Sequence, residues 1–314
     1  MSEEKRPGFE FAGVAEGIAR EAGALLREFY AKGVATEYKG DVDLVTEADR
    51  ASEKLIREGL AKAFPGHGIF GEEGTRDQME SEFRWYVDPL DGTTNFAHGF
   101  PAFCVVLGLE KRQKQIPFDS AWPRSGQALR SAQEGNVEED GELTAGVIYD
   151  PLRDEMFVAE RGQGAWLNGR AIHVSKTASL QEALTATGFP SHKRHVSPNI
   201  HFYQEFTLRS HGVRRAGSAA LDLAYVACGR LDGFWEFHLN PWDTSAGVLL
   251  VEEAGGSVTR MDGSKFRLDS QEVLATNGKI AGEMQHLFAE MFAGRGLGAI
   301  PTPAEFAARR KAKA

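Results

Sequence analysis

WYVDPLDGTTNFAHGFP, residues 85–101, decides how this chain is read, because it sets two carboxylates three residues apart at the end of an apolar run. Trp85, Tyr86 and Val87 form a short strand pattern entering the interior. Pro89 has no N–H for a ladder and blocks an immediate helix, so the chain is expected to turn at Asp88. Such a turn directs Asp88 and Asp91 into one space, with the carbonyl of Leu90 between them. Oxygen donors of this kind suit Mg²⁺ or Mn²⁺, whereas zinc would want His or Cys. Gly92 permits close backbone approach. Thr93, Thr94 and Asn95 offer hydroxyls, an amide and the open N–H groups of a helix start, which attract phosphate. An Asp-rich surface turn is the alternative for DPLD alone; the apolar flanks and the TTN that follows argue against it.

Three other segments supply what this turn needs. GEEG, residues 71–74, follows the apolar run Gly68, Ile69, Phe70 and places Glu72 at a strand end. PWDTSAGVLLVEEAGG, residues 241–256, opens a helix with Asp243, carries Val248, Leu249 and Val251, and stops at Gly255-Gly256. VDLVTEAD, residues 42–49, puts Asp49 near the start of a helix containing Leu55, Ile56 and Leu60. Taken singly, solvent exposure accounts for Glu72, helix capping for Asp243 and a first-turn acid for Asp49.

Together these segments resemble the inositol monophosphatase family of Mg²⁺-dependent, lithium-sensitive phosphatases, over about Phe9 to Ala293. DPLDGTTNF (88–96), GEE (71–73) and PWDTSAGVLLVEEAGG carry the resemblance. It implies an α/β fold, a layered αβαβα sandwich, usually as a homodimer. Residues 1–294 would form the phosphatase domain, interrupted by a polar insertion at 111–142, and 295–314 a tail. Glu72, Asp88 and the Leu90 carbonyl would hold a first metal and Asp88, Asp91 and Asp243 a second, with a third, weaker Mg²⁺ near Glu72. Asp49, Thr93 and Glu72 would be catalytic, Thr93 and Asp49 orienting and helping to deprotonate the attacking water. Lys39 falls where the family places a lysine near the site. Substrate contacts map onto Leu90, Asp91, Gly92, Thr93 and Asp243, and onto RRAGSAALDLAYVACGRLDGFWEF (214–237), where Gly217, Ser218 and Ala219 open a helix and Glu236 would accept from ring hydroxyls. Without the resemblance, Gly217-Ser218 is an ordinary helix start and Glu236 a polar strand end. Asn240 and Pro241 precede Trp242, so relatives with a His near this point are not matched, a departure that bears on substrate choice.

Inositol monophosphate is the expected substrate. Fructose 1,6-bisphosphate, histidinol phosphate and 3′-phosphoadenosine 5′-phosphate are alternatives for the same metal site with a different rim. A catalytically silent, macromolecule-binding protein is the alternative of another class, and the presence of every proposed ligand argues against silence.

Composition agrees with a globular enzyme: 314 residues, 42% hydrophobic, 26% charged, formal net charge −9. At this length about 75% of the unfolded surface can be buried. The acidic balance disfavours general nucleic-acid binding and means that metal ions must offset repulsion of an anionic phosphate monoester. Cys104 and Cys228 form no CxxC pattern and read as apolar fillers in a reduced cytoplasm. The N-terminus lacks a signal-type apolar core and runs such as AFCVVLGL are too short to span a bilayer, so no membrane role is expected.

Helical periodicity from about Phe9 to Ala31 puts Ala12, Ala15, Ile18, Ala19, Ala22, Leu25, Leu26 and Phe29 on one face. A second helix is expected over Thr46–Ala63. Strands follow at Trp85–Asp88, Phe103–Glu110, Gly146–Asp150, Glu155–Glu160 and Gly164–Trp166. Helix and strand then alternate through Ser197–Arg209, Gly217–Cys228, Gly233–Phe237, Trp242–Ala254 and Ser257–Met261, the pattern of stacked layers. The insertion from Lys111 to Glu142 reads as a surface loop from its Ser, Gln, Glu and Gly content, a lid or dimer contact through Phe118 and Trp122 being the alternative. His98 at the rim, and His192, His195 and His201 in SHKRHVSPNIH, are read as structural or solvated.

Overall fold

The computed structural model describes residues 6–33, 36–39, 43–112, 141–189, 197 and 199–295. Phe118, Trp122, His192, His195 and the tail 296–314 lie outside the described residues, as does the Lys39 side chain.

In chain order the first half comprises α1 (Ala12–Lys32), β1 (Thr36–Lys39), β2 (Asp43–Thr46), α2 (Glu47–Ala63), β3 (Gly68–Gly71), β4 (Arg76–Asp77), β5 (Phe83–Asp91), α3 (Thr93–Ala97), β6 (Cys104–Lys111), β7 (Glu142–Asp150), β8 (Glu155–Glu160), β9 (Ala165–Leu167) and β10 (Arg170–Ile172). The second half comprises β11 (Leu184–Thr187), α4 (Asn199–Arg209), β12 (Gly212–Arg214), α5 (Ala219–Ala227), β13 (Gly233–Phe237), α6 (Pro241–Glu253), β14 (Ser257–Thr259), β15 (Glu272–Thr276) and α7 (Ala281–Phe292). Strands β10-β9-β8-β7-β6-β5-β3-β4 form an eight-stranded sheet and β12-β11-β13-β15-β14 a five-stranded one; β1 and β2 pair separately.

Strand alternation sorts side chains into three cores. Val105, Leu107 and Leu109 of β6, with Val147 and Tyr149 of β7, pack against Ala15, Ala19, Ala22 and Leu26 of α1 and Ile56 and Leu60 of α2. The residues between them, Cys104, Val106 and Ile148, face α5 and α6, which meet Phe234 and Ala275 of the second sheet on their other side. Trp235 and Leu274 point away from α5 and α6 to a third core with Phe202 and Phe206 of α4 and Met284 and Phe288 of α7. The layers are therefore α, β, α, β, α, the sandwich expected from the sequence. On the α1 face, Leu25 and Phe29 are only half-buried. Among the described residues no helix is long and apolar enough to cross a membrane.

The expected turn at Asp88 is not there. β5 continues to Asp91, pairing Asp88 with Val106 and then Asp91 with Cys104, with a register shift between. Three steps on β5 thus match two on β6: Pro89 sits in a β-bulge, where a missing N–H costs no ladder bond. The bulge brings Asp88 and Asp91 together where a turn was expected to.

Asp243 is placed by close contact between α6 and the first sheet. A Cβ on Gly146 would lie 2.9 Å from the Ala246 backbone, so only glycine lets α6 approach this far.

Candidate active site

The site lies where the bulge of β5, the turn after β3 and the N-termini of α2, α3, α5 and α6 converge. Asp88 is buried and accepts from the Leu90 N–H at 2.9 Å. Asp91 is half-buried; its Oδ2 accepts from the Ser218 hydroxyl (2.6 Å) and the Ala220 N–H (2.8 Å). Ser218 is the N-cap of α5 and also accepts from the Leu221 N–H. Its side chain is 1% exposed, so its hydroxyl serves Asp91 and the helix.

Helix α2 starts with a capping box. Thr46 is its N-cap, and Asp49 Oδ2 accepts from the Thr46 N–H (2.8 Å) and hydroxyl (2.5 Å). Asp49 Oδ1 accepts from the Thr93 hydroxyl at 3.1 Å, which is also 3.1 Å from the Leu90 carbonyl. The first-turn reading of Asp49 and its link to Thr93 are thus both true. The same holds for Asp243: its Oδ2 takes the Asn240 N–H (2.7 Å) at the start of α6, while it still faces the other carboxylates. Trp242 seats this helix start, edge-on to Phe70 with centroids 5.3 Å apart. Phe70 stands two residues before Glu72, whose N–H bonds the Val87 carbonyl (3.1 Å).

Electrostatics shows what the cluster lacks. Burial first, then the nearby charges of Glu72, Asp91 and Asp243, pushes the Asp88 carboxyl well above the ordinary aspartate range. Burial also raises Asp91 against the lowering pull of Ser218 and the Ala220 and Ala219 N–H groups. Asp243 is raised to about 7 by burial and by Asp91. Among the described residues no Lys or Arg forms an ion pair with Asp88, Asp91 or Asp243. Nor, among those residues, are any three His, Cys, Asp or Glu side chains drawn into a finished metal cage. Asp91 and Asp243 each commit an oxygen to an N–H. An all-oxygen, anionic donor set fits hard cations such as Mg²⁺ by chemistry and by charge.

In the segment from β12 to β13, Gly217 has a positive φ of 86° and Glu236 is 7% exposed with no hydrogen-bond partner among the described residues. Burial, then Asp222, Asp243 and Asp91, raises the Glu236 carboxyl well above its usual range, while Arg215 acts to lower it. Arg215 lies over the Phe189 ring at 5.8 Å. Asn95, expected to offer an amide at this helix start, donates it to the carbonyls of Ala102 (2.7 Å), Ala216 (2.8 Å) and Gly217 (3.2 Å), tying α3 to the Gly217 segment. Ala219 is buried at the first turn of α5 and Gly92 opens α3 with φ 98°. His98 and His201 are exposed. Three contributors escape motif reading: Asn95 as a tie, and Ser52 and Glu53 on α2. Most of their partners are backbone groups distant in sequence, which no local spacing reveals.

The model of the inositol monophosphatase family matches residues 10–116 and 136–293, passing over 117–135. The chain is 43% identical over 273 residues to an inositol-1-monophosphatase of Synechocystis sp., covering 85% of each. It is 40% identical over 269 residues to the Pseudomonas aeruginosa Nus factor SuhB, covering 83% of this chain and 89% of that one. The solved inositol monophosphatase of Anabaena (Nostoc) sp. aligns with a TM-score of 0.73 at 39% identity, covering 89% of this chain and 95% of that one.

Proposed function

This chain belongs to the inositol monophosphatase family, and from that premise we propose that it is a metal-dependent phosphomonoesterase hydrolysing inositol monophosphate to inositol and phosphate. The observation that carries the reading is the facing of Glu72, Asp88, Asp91 and Asp243, none of the three aspartates paired with a cation, beside the Thr93–Asp49 hydrogen bond. Held by Glu72, Asp88, Asp91, Asp243 and the Leu90 carbonyl, two Mg²⁺ ions, or Mn²⁺ in their place, supply charge neutralisation of the phosphate and stabilisation of the departing alkoxide.

The residues of the chain do the rest. Thr93 directs its proton to Asp49, so its oxygen lone pairs are turned to accept a hydrogen bond from water. Burial raises Asp49 against its hydrogen bonds from Thr46 and Thr93, which suits it to take a proton through Thr93. Ser218 and the Ala220 N–H fix Asp91. Gly92 and Thr93, where α3 begins, face the phosphate. Gly217 and Ala219 border the ring, and the unpartnered Glu236 accepts from its hydroxyls.

Phosphate release from inositol 1-phosphate, fructose 1,6-bisphosphate, histidinol phosphate and 3′-phosphoadenosine 5′-phosphate, each with Mg²⁺ and with EDTA, tests this. Strongest Mg²⁺-dependent release from inositol 1-phosphate is expected. Preference for another ester would replace the substrate, and no release from any would end the reading. Inhibition by Li⁺, a homodimer and a cytoplasmic location belong to the same proposal. The name of the P. aeruginosa relative favours a second reading, a macromolecular partner held by the same fold. Capture of a partner by the Asp91→Asn variant would show binding independent of catalysis.

A further inference from the structure

Helix α2 grips the site at three points along one face. Asp49, Ser52 and Glu53, at i, i+3 and i+4, are 1%, 0% and 5% exposed. Asp49 holds Thr93, as described. The Ser52 hydroxyl donates to the Pro89 carbonyl at 3.0 Å, bracing the bulge between Asp88 and Leu90. Glu53 reaches the turn after β3: its Oε2 accepts from the Glu73 N–H (2.7 Å), and its Oε1 accepts from the Thr75 N–H (3.0 Å) and hydroxyl (2.7 Å). Gly71 makes room for it, since a Cβ there would strike the Glu53 carboxylate.

The turn that Glu53 holds is the one bearing Glu72. A groove of about 520 Å³ runs along the contact between α2 and residues 73–77, with Glu53 and Arg57 on the helix side and Glu73, Thr75 and Asp77 on the turn side among its lining. Across that groove the Glu53 carboxylate binds the turn to the helix. Three charge-assisted bonds from one buried carboxylate are strong and directional.

We propose that Glu53, on the metal-dependent reading above, is a positioning residue that sets Glu72 relative to Asp49 and Asp88 through its bonds to the Glu73–Thr75 backbone. It touches neither substrate nor metal. Its removal frees the turn and weakens cation binding, while the chemistry on a loaded site stays intact.

The test is a titration of the metal-free full chain with Mn²⁺, free ion being read by electron paramagnetic resonance, beside the Mg²⁺ dependence of kcat with inositol 1-phosphate. Glu53→Gln is expected to raise the half-saturating Mn²⁺ concentration about 10-fold or more, the range for losing an outer partner of a metal ligand, with kcat regained at high Mg²⁺. Ile56→Val, one turn along α2 and facing the core, controls for lost stability and should leave Mn²⁺ affinity unchanged. Wild-type affinity in Glu53→Gln alongside a lowered Tm overturns the proposal, as it makes Glu53 structural only. If Glu53→Gln does not fold, Thr75→Val decides: it removes one donor, and an unaltered Mn²⁺ affinity there is equally fatal. A wild-type protein that neither binds Mn²⁺ nor releases phosphate sinks the metal-dependent reading itself, an outcome distinct from an unaffected variant beside an active wild type.

Discussion

At the residue level, Thr93 and Asp243 make the sharpest demands. The Thr93 hydroxyl bonds Asp49 and lies equally close to the Leu90 carbonyl. Thr93→Ala is therefore expected to lower kcat by about 100-fold or more while Mn²⁺ affinity holds, measured by steady-state kinetics and metal titration. Asp243 carries a consequence for pH. Its carboxyl is held up at about 7, so between the ordinary aspartate range and neutrality the folded chain binds a proton that the unfolded chain does not. That contribution is fully present below about pH 4 and is lost as pH rises through about 7; Asp88 and Asp91 shift in the same direction. In EDTA the Tm should fall as pH rises toward neutrality, and Mg²⁺ should flatten the slope by neutralising the same carboxylates. A Tm in EDTA that climbs over this range would contradict the electrostatic account. The carboxylates themselves were legible from sequence, because DPLD, GEE and PWD are local patterns. Ser52, Glu53 and Asn95 were not, because a bond from a helix to a carbonyl or N–H tens of residues away leaves no periodic trace.

At the level of elements, four helix N-termini meet at the site: Asp49 in the first turn of α2, Thr93 opening α3, Ser218 capping α5 and Asp243 in the first turn of α6. Their partial positive charges favour the acidic cluster and the anion it receives. The position of α6 depends on glycine. Gly146→Ala would drive a methyl group into the Ala246 backbone and is expected to cost about 1–3 kcal/mol by urea unfolding, with weaker Mg²⁺ binding as Asp243 shifts. Stability equal to wild type would mean that α6 can retreat freely. Long helices and alternating strands were readable in advance: α1, α2, β6 and β8 lie close to their expected bounds. β5 runs past the expected turn because Pro89 excludes a ladder bond only where one is required, and a bulge requires none. β11 and β12 are only four and three residues long, too short for a pattern. The spacing of Met284, Leu287, Phe288 and Met291 is helical and is the signal by which α7 can be found.

At the level of the whole molecule, stacked layers follow from the alternation of helix and strand and the αβαβα sandwich from the family resemblance, whereas the order of strands within each sheet is seen only in the structure. β6 and β7 pair up to Lys111 opposite Glu142, so the chain leaves and re-enters the sheet at one place. Deleting residues 113–140 is expected to leave kcat, KM and oligomeric state unchanged, checked by kinetics and by light scattering; a monomer where the full chain is a dimer would instead make the segment a contact between copies. The same junction has a practical use. Because the two strands already meet there, their register is set without whatever joins them, and a fluorescent reporter or an affinity handle spliced in place of 113–140 would be a passenger on a catalyst that does not register its presence.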